Sequence, residues 1–395
     1  MSQEISAALE PQVLAPSPAP ETAAPAATET RTAVASQWQL MRWRFKKHRL
    51  AVICMWIIAA LYFVGIFGEF LAPNDPGETS ERYKYLPPQG ITFNDANGNF
   101  TLRPGIYGLK GTRDPETLRL SYVPDPAKVY PISLFARGDA YKMWGVIPSE
   151  IHLFGVNREA GAERPPLFVF GTDRLGRDVF SRVIYGARVS LSIGLVSVIL
   201  SLVFGITLGG ISGYYGGFAD TAIQRVIEFI RSLPTIPLWL ALAAAVPQGW
   251  DPLLVYFMIT IILSLVGWTG LARVVRGRFL SLREEDFVMA ARFSGASESR
   301  IIFRHMVPSF LSHIIASLTL AIPAVILSET TLSYLGLGLR PPIISWGVLL
   351  QEAQNVQTVA LAPWLLVPGL AVVLTVLAFN FLGDGLRDAA DPYAR

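Results

Sequence analysis

The sequence has 395 residues, of which 52% are hydrophobic and 16% are charged, with a formal net charge of +3. Soluble domains carry about 25% charged residues, so the composition excludes an ordinary soluble protein and predicts a membrane protein. The small net charge gives no reason to expect nucleic-acid binding. Cys54 is the one cysteine, which excludes an internal disulfide and a thiolate metal cluster.

The N-terminal region divides into a polar tail and a membrane anchor. Residues 1–37 are rich in Ala, Pro, Thr and Glu, a composition that buries too little apolar surface to fold, so we expect a disordered tail. A docking arm for a cytoplasmic partner is the alternative. Trp38 and Trp43, interleaved with Arg42, predict an interfacial helix. It leads into the first transmembrane helix, and the two together occupy residues 38–72.

The next segment, residues 73–187, is far longer than the usual connection of about 4–6 residues and therefore needs structure of its own. Asn97-Gly98 is a hairpin-type turn between two phenylalanines. Residues 118–123 alternate in polarity like a strand. We therefore predict a β-rich insertion, which we expect on the extracytoplasmic side.

Apolar runs give the number of membrane spans, because crossing the hydrocarbon takes about 20 apolar residues. The third predicted span is short and interrupted by prolines. Small residues at helical spacing in the second run favour close packing of helices in lipid; they are Gly194, Gly205, Gly209, Gly210 and Gly213. The six predicted spans are residues 50–71, 189–211, 232–246, 252–272, 310–332 and 363–382.

A charged, helix-forming segment, residues 281–308, separates the fourth and fifth runs. Ser281 and Glu284 match a capping box, and the first short helix is predicted to end near Ser294. Gly295 then stands where a helix favours its C′ glycine. The pattern predicts the first half of a helical elbow that protrudes from the membrane.

The second half of this elbow is predicted to be another short helix. Ser297 can cap its start, and Ile301, Ile302 and His305 follow at positions suited to a helix. Pro308 is predicted to close it.

Arginine and lysine flank the first run and the elbow, and such residues favour the cytoplasmic side. Five lie between positions 42 and 49, and seven arginines lie between 273 and 304. Four of the six predicted spans separate the two clusters, so both clusters fall on the same side of the membrane. We therefore expect both termini and the elbow in the cytoplasm.

Four positions of the elbow carry a resemblance. Ala290, Ala291, Gly295 and Pro308 resemble the cytoplasmic EAA loop of binding-protein-dependent ABC importer permeases, with Met289 in place of the glutamate that names the loop. Flanking stretches resemble one branch, the oligopeptide and dipeptide permease C subunits. They are GTDRLGRDVFSRVIYGARVSL, GYYGG, LSYLGLG and GDGLRDAADP, and the resemblance covers about residues 171–392, with a weaker match at 38–72.

The resemblance implies an all-α, six-helix type I importer permease in a bacterial inner membrane. Its transmembrane domain would occupy residues 188–384, and residues 385–395 would form a cytoplasmic C-terminus. The implied partners are a homologous B-type permease, two cytoplasmic ATPases that carry ATP and Mg²⁺, an extracytoplasmic binding protein and membrane lipid. No cofactor is expected on this chain. The elbow would sit in an ATPase groove, with Ala290, Ala291, Gly295, Ala296, Ser297 and Pro308 as its coupling residues.

The transported solute stays open between peptides, oligosaccharides and nickel chelates. Glu329 lies near the outer end of the fifth run, where an ionisable group usually faces a cavity or a partner. Lining of the path and structural pairing both fit this position.

An enzyme should show its chemistry in the sequence. No Gly-Lys dipeptide is present for a P-loop, and the four histidines lie far apart without a metal-binding pattern. A stand-alone channel or secondary transporter is the stronger alternative, but such proteins tend to carry charges inside their spans. The predicted spans are nearly free of charge, which favours a subunit moved by another protein.

Overall fold

The computed structural model describes residues 37–95, 99–113, 120–157, 167–247 and 249–390. The predicted N-terminal tail, apart from residue 37, and the Asn97-Gly98 turn lie outside these ranges.

The elements alternate between helices and one β-sheet. The first helices are α1 (Gln37–Lys47), α2 (Arg49–Ile66) and α3 (Gly68–Leu71), followed by β1 (Ile91–Asn94), β2 (Phe100–Arg113), β3 (Leu120–Met143) and β4 (Ile147–Val156). The central helices are α4 (Val179–Tyr215), α5 (Gly217–Ser232), α6 (Thr235–Ala244), α7 (Pro252–Leu282) and α8 (Asp286–Phe293). Then come α9 (Glu298–Arg300), a π-helix (Ile301–Met306), α10 (Val307–Ser309), α11 (Leu311–Tyr334), α12 (Trp346–Gln351), a 3-10 turn (Glu352–Gln354), α13 (Val356–Leu361), a second 3-10 turn (Pro363–Leu366) and α14 (Val367–Ala390).

Five helices of the described chain are long and apolar enough to cross a membrane. The pair α5 and α6, bent by 88°, adds a sixth if the two form one span. The predicted third span at 232–246 is therefore wrong as a straight helix. Its helix α6 has 10 residues and is about 15 Å long, too short to cross alone. Proline cannot supply the backbone N–H that would continue α5. The chain therefore begins a new helix here, with Pro234 as the N-cap residue of α6.

A close helix contact joins α4 to α7 and depends on the predicted glycines. A Cβ on Gly209 would lie 2.5 Å from the Ala272 carbonyl oxygen, and one on Gly213 would lie 2.6 Å from the Phe279 Cβ. Such separations are far below van der Waals contact, so only glycine allows this approach. The predicted use of small residues for helix packing is confirmed here.

The β-sheet lies in the chain between α3 and α4. Its order is β1-β2-β3-β4, and every neighbouring pair is antiparallel. Asn94 pairs with Phe100, and the Asn97-Gly98 turn predicted between them stays a prediction. The long strand β3 pairs with β2 through its first half and with β4 through its second half.

The sheet and the elbow meet opposite ends of α4. Near its start, Arg188 donates from Nε to the carbonyl oxygen of Gly65, at the end of α2 that leads to the sheet. At its other end, Tyr214 packs against the elbow. Tyr214 lies 26 positions after Arg188, which is about 39 Å along the helix, so the bundle separates the sheet from the elbow.

Candidate functional site

The elbow begins differently from its prediction. Helix α7 continues through Ser281 to Leu282, and the Arg283 N–H donates to the Phe279 carbonyl oxygen at 3.0 Å. Helix α8 has Glu285 as its N-cap residue, with no side-chain capping bond. The predicted capping box is therefore wrong, because Ser281 still belongs to the membrane helix that precedes the elbow.

The turn between the two halves of the elbow follows its prediction. Ser294 is the C-cap of α8, and Gly295 follows with φ of +74°. The Gly295 N–H donates to Arg292 O and the Ala296 N–H donates to Ala291 O, the pair of bonds that defines a Schellman motif. A Cβ on Gly295 would meet no atom within 4 Å. A side chain here would therefore not crowd the joint, and only the backbone conformation favours glycine.

The second half of the elbow is one continuous helical stretch. Ser297 is the N-cap residue of α9, although its side chain makes no capping bond. The π-helix and α10 follow without interruption. Pro308 lies inside this stretch, just after the π-helix, and the chain leaves helical geometry only at Phe310. Pro308 therefore does not close the helix.

One side of the elbow is built into the core of the bundle. Val288 and Met306 have no solvent exposure, and Ile301 has almost none. They pack with side chains from α4, α7 and α11 in a group that we call the anchor cluster. Its members are Tyr214, Val275, Phe279, Val288, Ile301, Met306, Phe310 and Ile314, with Ala291 and Ala296 at its edge.

Polar contacts also hold the elbow to the end of α4. The Tyr215 hydroxyl donates to a Glu298 carboxylate oxygen at 2.5 Å. The Arg292 guanidinium lies 5.6 Å from the centre of the Tyr214 ring and donates to its hydroxyl at 3.4 Å. Both halves of the elbow are therefore tied to one helix end.

The opposite side of the elbow is open and apolar. Phe293 is 84% exposed, and Phe303 and Phe287 are also exposed. Ala290 and Met289 are exposed beside them, whereas Ala291 is half-buried. Exposed aromatic groups on a charged segment are typical of a surface that binds another protein.

A second cluster of polar side chains lies on the same side of the bundle as the elbow, and sequence reasoning missed it. Arg276 of α7 makes a two-pronged ion pair with Asp220 of α5, through Nε at 2.5 Å and Nη2 at 2.6 Å. The Ser212 hydroxyl of α4 also donates to Asp220. Three helices are thus joined next to the segment that carries the elbow.

The other end of α4 is fixed by the GTDRLGRD stretch. The Asp178 carboxylate caps α4 by accepting from the N–H groups of Phe180 and Ser181, and it also accepts from Asn74. Arg177 donates to Asp173 at 2.6 Å and to Glu352 at 2.8 Å. This stretch therefore positions the start of α4 against distant parts of the chain.

Glu352 is a member of this network that sequence reasoning missed. Burial raises the pKa of the Glu352 carboxyl above its usual range, and the neighbouring Asp173 carboxylate raises it further. Arg177 and Arg182 act in the opposite direction without cancelling the rise.

Glu329 occupies a closed polar pocket. Its side chain has no solvent exposure, and it accepts from the hydroxyls of Ser190, Ser333 and Ser345 at 3.4, 2.9 and 2.7 Å. The same hydroxyls accept from the backbone N–H groups of Trp346, Leu339 and Val348, respectively. Glu329 thus organises the connection that follows α11. It faces no open cavity in this conformation, and its predicted role in lining a path stays untested.

Comparison with known proteins gives the family. A model described as the binding-protein-dependent transport system inner membrane component matches residues 205–395, and one described as the N-terminal TM domain of oligopeptide transport permease C matches residues 36–88. The dipeptide transport system permease protein DppC of Alkalihalophilus pseudofirmus is 44% identical over 56% of this chain and 71% of its own length. The chain belongs to the oligopeptide and dipeptide permease C family.

Other permeases of this family extend the match. The oligopeptide transport system permease protein OppC of Bacillus subtilis is 38% identical over 59% of this chain and 75% of its own. DppC of Lactococcus lactis is 31% identical over 89% of both chains. Among solved structures, a chain of the MetNI methionine ABC transporter in inward-facing conformations matches with a TM-score of 0.43 and 18% identity, over 54% of this chain and 97% of that one.

Membership of the permease C family identifies the chain as a transport subunit rather than an enzyme. The described residues contain no group of three or more His, Cys, Asp or Glu side chains that could hold a metal ion. The roles predicted for individual elbow residues stay predictions.

Proposed function

We propose that this permease forms half of a translocation path for peptides in an ATP-driven importer, and that residues 281–308 receive the movement of the ATPases. One observation carries this proposal. The elbow joins the bundle core on one side, through Val288 and Met306, and exposes Phe293 and Phe303 on the other. A force applied to the exposed side would therefore act directly on α4, α7 and α11.

The remaining parts of the importer follow from the family. We propose a homologous B-type permease, two ATPases that bind ATP and Mg²⁺, and an extracytoplasmic binding protein as partners. The basic clusters around α1 and the elbow support an arrangement with both termini in the bacterial cytoplasm, which puts the sheet outside. Peptides are the proposed solutes because the named relatives are dipeptide and oligopeptide permeases. Oligosaccharides and nickel chelates are the competing solutes.

A charge on the exposed side of the elbow tests the coupling. Burying a phenylalanine side chain at a contact stabilises the contact by about 1.5–3 kcal/mol, which corresponds to a roughly 10- to 150-fold change in affinity. We expect Phe293→Asp to weaken ATPase binding to the reconstituted permease pair by that factor and to reduce solute-stimulated ATP hydrolysis. Phe293 is exposed, so the permease itself should insert normally.

Phe100→Asp is the matched control, because Phe100 is also a highly exposed phenylalanine, in the sheet beyond the opposite end of α4. It should leave ATPase binding unchanged. If Phe293→Asp bound the ATPases with wild-type affinity, the elbow would not be the coupling surface.

A further inference from the structure

The turn that joins β3 to β4 has an unusual composition. We call residues 143–147 the hairpin tip. Trp144 and Gly145, the two central residues of its four-residue turn 143–146, have φ of +52° and +75°. The Val146 N–H donates to the Met143 carbonyl oxygen at 3.1 Å, which closes the turn. Asn and Gly are the residues favoured in such a turn, and a bulky side chain with positive φ is an outlier. The turn itself does not favour tryptophan at this position, so we expect a contact of its side chain outside the turn.

The Trp144 side chain is attached to the end of the first membrane span. Its indole Nε1–H donates to the carbonyl oxygen of Ile66, the last residue of α2, at 2.8 Å. Its ring centre lies 5.8 Å from that of Phe67, which in turn lies 4.7 Å from that of Phe63. The indole therefore continues an aromatic row that begins on the surface of α2.

The end of α2 marks the boundary of the hydrocarbon. The helix has 18 residues and is about 27 Å long, close to the thickness of about 30 Å of a bilayer core. Arg188 donates to the carbonyl oxygens of Gly65 and Ile66 and pairs with Glu69. A charged pair of this kind belongs at the headgroup level. The hairpin tip thus lies at the same depth.

The surface around the indole is apolar and open. Val146 is 78% exposed and Ile147 is 51% exposed. Farther along β3 from the tip, Leu134 and Phe135 are also exposed, and Phe135 packs against Phe70, just beyond the end of α2. Lys142, beside the tip, is exposed as well. Tryptophan with an adjacent lysine is typical of the membrane interface, where the lysine reaches the phosphate groups.

We propose that the hairpin tip inserts into the boundary between lipid headgroups and acyl chains, in the leaflet that holds the Ile66 end of α2. Lipid is favoured over a protein partner because the tip is continuous with an exposed apolar face of α2. Ile53, Trp56 and Phe63 of that face are all more than half exposed, in a helix that passes the length and hydropathy test for a span. The sheet is thus fixed to the membrane at the tip as well as through its chain connections. This inference does not depend on the proposed solute or on the ATPases.

Spin labels test the insertion. In a Cys54→Ser background, Val146→Cys and Lys110→Cys would be labelled with a nitroxide in the complete transporter, reconstituted into phosphatidylcholine and phosphatidylglycerol vesicles. Lys110 is an exposed residue of β2 that pairs with Val123, near the far end of β3 from the tip. We expect the label at 146 to be accessible to oxygen and inaccessible to a water-soluble nickel chelate. The label should lie at a depth of about 5–10 Å below the headgroups. The label at 110 should show the reverse.

Two results would overturn the proposal. A label at 146 that the nickel chelate reaches as easily as the label at 110 would place the tip in water. A label at 146 that neither reagent reaches would show that another protein surface covers it. Ile147→Cys provides a second position, and wild-type uptake by the labelled variants would show that they are folded.

Discussion

Substitutions at Gly295 separate two reasons why a coupling loop could need glycine. If space were limiting, every side chain would disrupt the joint. The structure shows open space around the position and φ of +74°, so only the left-handed backbone conformation disfavours other residues. For an L-residue this conformation costs roughly 1–2 kcal/mol, while asparagine adopts it more readily.

The expected order follows from these values. Gly295→Asn should retain nearly wild-type activity. Gly295→Ala should destabilise the turn by about 1 kcal/mol, and Gly295→Val by about 2 kcal/mol because valine is β-branched. A change of 1–2 kcal/mol alters the folded-to-unfolded ratio of the loop by about 5- to 30-fold. Solute-stimulated ATP hydrolysis in reconstituted complexes, measured over a temperature series, would show the loss.

Gly209→Ala is the control for the Gly295 substitutions, because at Gly209 space is limiting. Its Cβ would lie 2.5 Å from the Ala272 carbonyl oxygen, so α4 and α7 would have to separate and the folded protein should be lost. The steric reasoning fails if Gly209→Ala is harmless. The conformational reasoning fails if Gly295→Asn is as damaging as Gly295→Val.

Two further predictions concern buried carboxyl groups. Glu329→Leu leaves three buried serine hydroxyls without their acceptor, at a cost of about 1–3 kcal/mol each, so we expect a poor yield of folded permease. Glu329→Gln keeps an acceptor and should be purified normally. Equal yields of the two variants would contradict this prediction. Burial and Asp173 raise the pKa of Glu352 in the folded state. The contribution of protonated Glu352 to stability is therefore complete below the pKa of an ordinary glutamate, about 4.3, and is lost as the pH rises through the raised pKa. Glu352→Gln should therefore flatten the fall in thermal stability between these pKa values, and an unchanged pH profile would exclude Glu352 as its source.

Features that depend on neighbours in sequence were predictable. The C′ role of Gly295 and the glycine spacing in α4 need only helical geometry, and both were confirmed. The start of α8 was not, because Ser281 and Glu284 have the right spacing for a capping box but the preceding helix extends over Ser281. A local pattern does not reveal where a longer helix stops.

Features that depend on distant residues were missed for the same reason. Arg177 and Glu352 are 175 positions apart, and Asp220 and Arg276 are 56 apart. Each residue alone resembles an ordinary solvated charge. Only the packing of the helices brings the partners together, and a single sequence contains no signal for such pairs.

Helix α4 connects the two ends of the molecule. It has 37 residues and is about 55 Å long. Its start is capped by Asp178 within the GTDRLGRD network, and its end holds the elbow through Tyr214 and Tyr215.

Backbone contact at Gly209 and Gly213 leaves no layer of side chains between α4 and α7 that could deform. Close-packed interiors transmit displacement rather than absorb it. We therefore expect α4 and α7 to move as one body, so that a displacement of the elbow also moves the network around Asp173 and Glu352. We then expect the conformational change to occur mainly at the 88° bend between α5 and α6, which lies outside the glycine contacts between α4 and α7.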